Sequence, residues 1–367
     1  MIAKKKLCVL VPAHWAALMG GSEYQVSCLV EHLVRQEHYD IYYLARRVSP
    51  DYVPQGYKII QVADAKGIRR FGEFLDAPRL LTLLARIRPD IIYQRVGCGY
   101  TGIAAYHAAR NPCQVIWHVA HEMEVQPFNR VMSKNMLFRY LDKKTLEYGI
   151  RNVGKIIVQT SQQQALLARH YNRVPVARID NWHPIPQEKI EKPEGIEVVW
   201  VANLKAWKQP DLFLRLARDL AHLRDVRFTM IGDRAWPEER QDKFLQDVKR
   251  LENLSYLGGC TQDEVNSVLA RANIFVNTSV QEGFPNTFIQ AWMRQVPVVS
   301  LNVNPDNVLD ERHIGYCSGT YDQLKHNVLD LIDQPGMRQR MGLEAQDYAF
   351  STYSIKNFEK IAELLEV

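Results

Sequence analysis

The sequence predicts an α/β protein made of two doubly wound parallel sheets in series. Three observations carry this. Short apolar runs alternate with helical patterns through the first half of the chain, as in parallel strands covered on both faces. The rhythm breaks near residue 181, in NWHPIPQEKIEKPEG, which has three prolines, several charges and no periodicity. It then restarts and runs to the C-terminus. A length of 367 residues suits two domains better than one core.

The first strand is KLCVLVP, buried from Lys6 to Val11. The lysines before it imitate a signal peptide, but Pro12, His14 and Trp15 interrupt the apolar run. A helix follows from about Gly21 to Arg35, then strands YDIYYLARR and YKIIQV. A helix over Arg69 to Arg88 leads to PDIIYQR. Helix GIAAYHAAR leads to QVIWHVA, and a long helix from Asn129 to Ile150 leads to GKIIVQT. After the break, IEVVWVAN is a strand and PDLFLRLARDLAHL an amphipathic helix. VRFTMIGD, a helix over 237–251, SYLG, a helix from Gln262, NIFVNTS, a helix opened by Pro285 and VPVVSL complete the second sheet. Helices over 321–333, 336–349 and 354–366 close the chain.

Composition narrows the function. Hydrophobic residues make 47% and charged residues 24%, the balance of a soluble globular protein. A net charge of +5 is too small to argue for nucleic acid; it suits an anionic small substrate or an anionic membrane surface. The six cysteines, at 8, 28, 98, 113, 260 and 317, form no C-x-x-C pair and read as reduced core residues of a cytosolic protein. No His or Cys cluster has metal-ligand spacing. No apolar run reaches 18 residues, so no transmembrane helix is expected.

Open α/β sheets bind ligands at the carboxyl ends of their strands, where helix N-termini attract anions. Three loops there stand out. Gly20 and Gly21 precede the first helix; they let a backbone approach a ligand, or they form a plain loop with Ser22 as N-cap. Lys208 lies just before Pro210, at a helix start. There it opposes the dipole unless an anion sits between, although a solvated surface lysine is the plainer reading. In SVQEGFPNTFIQAW, Pro285 suits a first helical turn, and Asn286 and Thr287 offer backbone N–H groups. Glu282 would repel a phosphate but suits hydroxyls. An acid beside backbone donors is equipment for a nucleotide sugar; otherwise it merely stabilises the helix dipole.

These residues resemble the retaining glycosyltransferases of the GT-B fold, family 4. The pattern GGSE at Gly20 to Glu23, the segment IIVQTSQQQALL and above all NIFVNTSVQEGFPNTFIQAWMRQVPVVS carry the resemblance over nearly the whole chain. It implies two Rossmann-like αβα domains facing across a cleft. The N-terminal, acceptor-binding domain would span 1–181, with the C-terminal helix of about 350–367 crossing back to it. The donor domain would span 182–349, with hinges near 181 and 345. It implies that Glu282 binds donor sugar hydroxyls and that Gly283, Phe284, Asn286 and Thr287 hold sugar and phosphate through their backbone. Gln290 stands where the family usually has a ribose-binding Glu, and Asn203 where an Arg commonly joins Lys208 on the diphosphate. The chain departs from the pattern at both. His121, in VIWHVAHEMEV, is the candidate donor-contacting histidine; His118 fits a packed strand position. The catalytic set is therefore His121, Glu282 and Lys208. No metal or other cofactor is implied, and the absent Asp-x-Asp dyad agrees with that.

The acceptor is expected to be a glycan or a polyprenyl-linked glycan. Segment 126–152 mixes Arg130, Lys134, Arg139, Lys143 and Lys144 with Phe128, Met132, Met136, Leu137, Phe138 and Leu141, and 67–88 is a second basic, apolar stretch. Both suit a peripheral helix on an anionic inner membrane face, or a core helix with a solvated basic side. A dehydrogenase is disfavoured because no G-x-G-x-x-G follows the first strand. A GT-B sugar-nucleotide epimerase and a non-catalytic partner subunit remain the alternatives.

Overall fold

Every residue from Leu7 to Val11 is buried, so neither face of the first strand meets water. Cys8 and Leu10 enter one apolar layer while Leu7, Val9 and Val11 enter another. A strand buried on both sides must lie inside a parallel sheet flanked by helices. The computed structural model, which describes residues 4–18, 20–64, 71–127, 134–233 and 238–366, has two such sheets. They belong to two units, Met1–Trp182 with Ile355–Val367, and His183–Ser354.

In the first unit, β1 (Lys5–Ala13), β2 (Tyr39–Arg47), β3 (Lys58–Gln61), β4 (Ile91–Arg95), β5 (Gln114–His118), β6 (Lys155–Val158) and β7 (Ala177–Arg178) form a parallel sheet ordered β3-β2-β1-β4-β5-β6-β7. Helix α1 (Gly21–Gln36) covers one face. Helices α2 (Ala77–Ile87), α3 (Gly99–Ala108), α4 (Lys134–Asn152) and α5 (Ser161–Tyr171) cover the other. The sequence pattern carries α2 back to Arg69. The α-helix begins only at Ala77, after a 3-10 turn over Glu73–Asp76; Pro78, in its first turn, has no N–H to extend a helix backwards. Residues 65–70 and 128–133 lie outside the described residues, and with them Phe128, Arg130, Met132 and part of both basic stretches. Helices α3 and α4 cross at glycines. A Cβ on Gly102 would lie 2.0 Å from the Thr145 carbonyl oxygen, and one on Gly149 would lie 2.7 Å from the Gly102 nitrogen.

In the second unit, β8 (Ile196–Val201), β9 (Val226–Ile231), β10 (Leu254–Tyr256), β11 (Ile274–Asn277), β12 (Val298–Ser300) and β13 (Gly315–Cys317) are ordered β10-β9-β8-β11-β12-β13, again all parallel. Its helices are α6 (Pro210–Asp219), α7 (Glu238–Lys249), α8 (Gln262–Arg271), α9 (Asn286–Trp292), α10 (Val308–Glu311), α11 (Tyr321–Asp333) and α12 (Pro335–Thr352). Strand order reverses between β1 and β4 in one sheet and between β8 and β11 in the other, and loops diverge there to leave a crevice.

The chain passes between units at Trp182–His183 and again at Ser354–Ile355. The second passage comes later than residue 345, because α12 continues without a break to Thr352. The last helix, α13 (Lys356–Glu366), packs on the first unit. Phe358, Ile361, Ala362 and Leu365 recur at helical spacing and enter the α1 layer, and Phe358 lies 5.0 Å from the Trp182 ring. Lys155 and Lys5 donate to the last-turn carbonyls of Leu364 and Glu366, at 2.9 and 3.0 Å. These carbonyls lack intrahelical partners.

Candidate functional site

The β8 and β11 loops sit side by side at the second unit's reversal point. After β8 the chain makes a 3-10 turn over Ala206–Lys208, and Gln209 takes a left-handed φ of 49° before Pro210 opens α6. Lys208 therefore ends a turn two residues before the helix rather than lying within its start. Three hydrogen bonds stitch β8 and this loop to the loop after β11. Trp200 Nε1 donates to Thr278 Oγ1 (2.9 Å), the Thr278 hydroxyl donates to the Lys208 carbonyl (2.6 Å), and Val280 N donates to the Trp207 carbonyl (2.8 Å).

That stitching brings Lys208 Nζ to 2.7 Å from Glu282 Oε2, with 17% and 15% of the two side chains exposed. The other carboxylate oxygen accepts from Asn277 Nδ2 (2.9 Å) and Ser279 Oγ (2.6 Å), and Asn277 Oδ1 accepts from Ser279 N (3.0 Å). Burial pushes the Glu282 carboxyl up. The charge of Lys208 and hydrogen bonds from Lys208, Ser279 and Asn277 outweigh it and hold the group below the ordinary carboxylate value. Glu282 thus stays ionised, a fixed acceptor for a hydroxyl, with an ammonium group beside it.

The sign of this shift sets a pH dependence. A carboxyl whose folded value is depressed stabilises the fold above its unfolded value, about 4.3, and loses that contribution as pH falls through the lower folded value. Urea midpoints taken between pH 6 and pH 3 should fall more steeply for the native chain than for Glu282→Gln. Parallel slopes would mean that Glu282 is not depressed.

The remaining residues of the signature divide by role. Gly283 is buried. The Phe284 ring turns inward, 5.3 Å from Tyr353 and 6.2 Å from Trp292, which anchors the loop and leaves its backbone as the group available to a ligand. Pro285 is extended (φ −68°, ψ 117°) and precedes α9 instead of lying in its first turn; its carbonyl accepts from Phe288 N (3.1 Å). Asn286 and Thr287 take the first two helical positions, half-buried. Gln290 is buried, and its amide nitrogen donates to Gln262 Oε1 and Asn266 Oδ1 of α8, both at 2.8 Å. Asn203 follows β8, half-buried, with its carbonyl accepting from Lys205 N (2.7 Å).

In the first unit, Gly20 caps α1 in an extended conformation, and Gly21 is the first helical residue. The Glu23 carboxylate folds back so closely that a Cβ on Gly20 would lie 2.2 Å from its Oε2. His121 caps the 3-10 turn Glu122–Glu124, its Nδ1 accepting from Met123 N (3.0 Å), which assigns the neutral ring's proton to Nε2. His118 is a buried strand residue with Nδ1 2.8 Å from the Tyr93 hydroxyl. Burial first, then the nearby Arg95 charge, keeps it well below the usual histidine range. Among the described residues, no three His, Cys, Asp or Glu side chains group as metal ligands.

Sequence reasoning overlooked Asn277, Thr278 and Ser279, which hold Glu282 and the β8 loop. Their signal was present: NTS places three consecutive polar residues at the end of a buried strand, and all three are buried.

Family models match both halves of the chain: Glycosyltransferase Family 4 over residues 19–184 and Glycosyl transferases group 1 over residues 195–334. Among solved structures, sucrose-phosphate synthase of Thermosynechococcus elongatus is similar with a TM-score of 0.77 at 14% identity, covering 99% of this chain and 98% of that one. WaaG, a glycosyltransferase involved in lipopolysaccharide biosynthesis, gives 0.76 at 16% identity, with 98% and 99% covered. Anabaena HepE, solved with UDP-glucose, gives 0.75 at 15% identity, with 99% and 100% covered. No curated protein matches the chain closely enough to add to these.

Proposed function

Because the chain belongs to the family 4 glycosyltransferases of the GT-B fold, we propose that it moves a hexose-type sugar, with retention, from a nucleoside diphosphate sugar to a glycan or lipid-linked glycan. The product class is cell-surface polysaccharide or glycoconjugate. The observation that carries this reading is the Lys208–Glu282 pair at the second sheet's reversal point. Glu282, held by Asn277 and Ser279, accepts hydrogen bonds from donor hydroxyls. Lys208 and the backbone from Gly283 to Thr287 face the diphosphate and offset charge on the leaving group. His121 contacts the donor sugar, Gln290 and Asn203 serve the ribose and diphosphate in place of the usual Glu and Arg, and Gly20–Gly21 completes the donor site. The leaving phosphate takes the acceptor's proton on the same face of the sugar, without a metal. HepE, with its bound UDP-glucose, supports a nucleotide-sugar donor.

A panel of nucleoside diphosphate sugars, read by thermal shift, tests this. A donor at a hundred times its dissociation constant should add about 2.7 kcal/mol, and slow release of nucleoside diphosphate without acceptor should follow. No stabilisation by any donor overturns the reading. The engagement of Gln290 with Gln262 and Asn266 favours a second reading, a non-catalytic partner subunit; stabilisation by nucleotide with no release selects it.

The same reading puts the protein in the cytoplasm, in peripheral contact with the inner membrane face. Among the described residues, no helix is long and apolar enough to cross a membrane. Basic side chains of α4 beside exposed Leu137 and Leu141 support peripheral contact.

A further inference from the structure

Helix α4 has two concave sides in the first unit. Arg139, Asp142, Lys143 and Leu146 line a cavity of about 420 Å³, while Leu141, Lys144, Thr145 and Tyr148 line a groove of about 520 Å³. The segment before α2 divides the same way: Phe71, Gly72 and Glu73 line the cavity and Phe74 the groove. Between the two stands an aromatic stack, Phe138 lying 5.4 Å from Phe71 and 6.4 Å from Phe74. Asp142 fixes this partition by accepting from Phe74 N (2.8 Å) and Gly99 N (3.1 Å).

The two sides differ in chemistry. The cavity lies past the ends of β4 and β5, where Gly97, Met123 and Glu124 contribute to it, the place where α/β sheets take polar ligands. Its walls bear Glu73, Glu124 and Asp142 together with Arg139 and Lys143. Lys143 Nζ donates to the carbonyls of Met123 (3.0 Å) and Glu124 (2.6 Å), and the Glu124 carboxylate accepts from Ala120 N (3.0 Å). Burial pushes the Glu124 carboxyl up to about 7 and the Asp142 carboxyl up to about 6. Next to Gly97, Val96 is held at φ 68°, a left-handed conformation that a β-branched residue rarely takes, as at ligand-binding turns.

The groove is apolar, formed by α2, α3 and α4 around Leu81, Ile103, Tyr106, Leu141, Thr145 and Tyr148. The glycine crossing of α3 and α4 sets its floor. Tyr106, Leu141 and Tyr148 are 42%, 39% and 40% exposed, a short row rather than the 20–30 residues a side of a stable dimer. Arg110 lies 3.6 Å over the Tyr106 ring at the rim, and Lys144 lines the groove.

We propose that the first unit binds an amphiphilic acceptor, its hydroxylated head in the cavity and its hydrocarbon chain in the groove across the Phe71–Phe138–Phe74 partition. This rests on the reading of the chain as a glycosyltransferase and narrows its acceptor to molecules carrying a chain. The groove's occupant is the acceptor's own chain, because a single aromatic stack separates the groove from a polar cavity sized for a head group.

Isothermal titration of the full chain with hexyl and octyl glucoside, below their micelle-forming concentrations, tests it. Glucose and octanol are the partial ligands. Each buried methylene is worth about fourfold in affinity, so octyl glucoside should bind roughly fifteenfold tighter than hexyl glucoside, and tighter than either partial ligand. Leu141→Glu and, independently, Tyr148→Glu should remove the chain-length dependence while leaving nucleotide-sugar binding unchanged. Equal affinity for glucose and octyl glucoside, or variants that keep the chain-length dependence, overturns the groove; octanol binding as tightly as octyl glucoside overturns the cavity. A dimer that Leu141→Glu dissolves, seen by sedimentation velocity, overturns the proposal in favour of a second copy. Nucleotide-sugar binding is read in the same titrations, so its loss with the chain-length dependence intact counts against the donor site alone.

Discussion

Lys208→Met and Glu282→Gln are each expected to cut acceptor-independent release of nucleoside diphosphate by roughly 10²- to 10³-fold, the usual loss on removing one group aimed at developing charge. In the proposed function the two do different things: one would offset charge on the leaving group, the other would hold hydroxyls. Yet they touch at 2.7 Å, so their effects should not multiply. The double variant should be little worse than the more severe single one. A product of the two losses would mean that the side chains act independently. Folding must be read separately. Breaking a buried ion pair costs on the order of 3 kcal/mol because the remaining charge keeps its desolvation penalty; the 15–17% exposure of this pair lowers that figure. The uncharged near-isosteres keep the packing, and circular dichroism at the assay temperature separates lost chemistry from lost fold.

Gly102→Val is expected to destabilise the first unit by about 3 kcal/mol or more, since overpacking a closed interface typically costs 1–3 kcal/mol and here backbone itself is in the way. A Cβ at Gly102 meets the Thr145 carbonyl oxygen at 2.0 Å and its carbon at 2.8 Å. No rotamer relieves that contact, so α3 and α4 must separate. In a unit of this size the loss lowers the melting temperature by roughly 6–12 °C. Gly336→Ala is the control: it lies in the first turn of α12 with nothing within 4 Å of a new Cβ, and it should change stability by no more than about 0.5 kcal/mol. If the two variants melt alike, the close crossing of α3 and α4 is wrong.

Much of this was legible in advance. Leu7 to Val11 and Ile274 to Val276 are continuous apolar runs between polar turns, which only a two-sided parallel sheet can bury. The fold class followed from those runs, and the Glu282–Asn286 signature marked the loop of the candidate site. Helix ends were less legible. The pattern carried α2 back to Arg69 and put Pro285 inside α9, because amphipathic spacing records which side of a segment is covered and not where backbone hydrogen bonding begins. Asn277 and Ser279 were passed over for a similar reason: a polar residue at a strand end reads as a boundary until its partner is known.

Taken alone, the sequence determined most of the strands and helices, though not the last strand of either sheet, β7 and β13, nor α10, and that two sheets follow one another. It also supplied every residue type the site uses. Only the tertiary structure decided that Lys208 meets Glu282, that Gln290 turns to α8, and that α4 has a polar cavity on one side and an apolar groove on the other. The physical reason is range. Periodicity is a local property, fixed by 2.0 or 3.6 residues per repeat. The meeting of two loops depends on strand order and register, which are set by contacts between residues far apart in the chain.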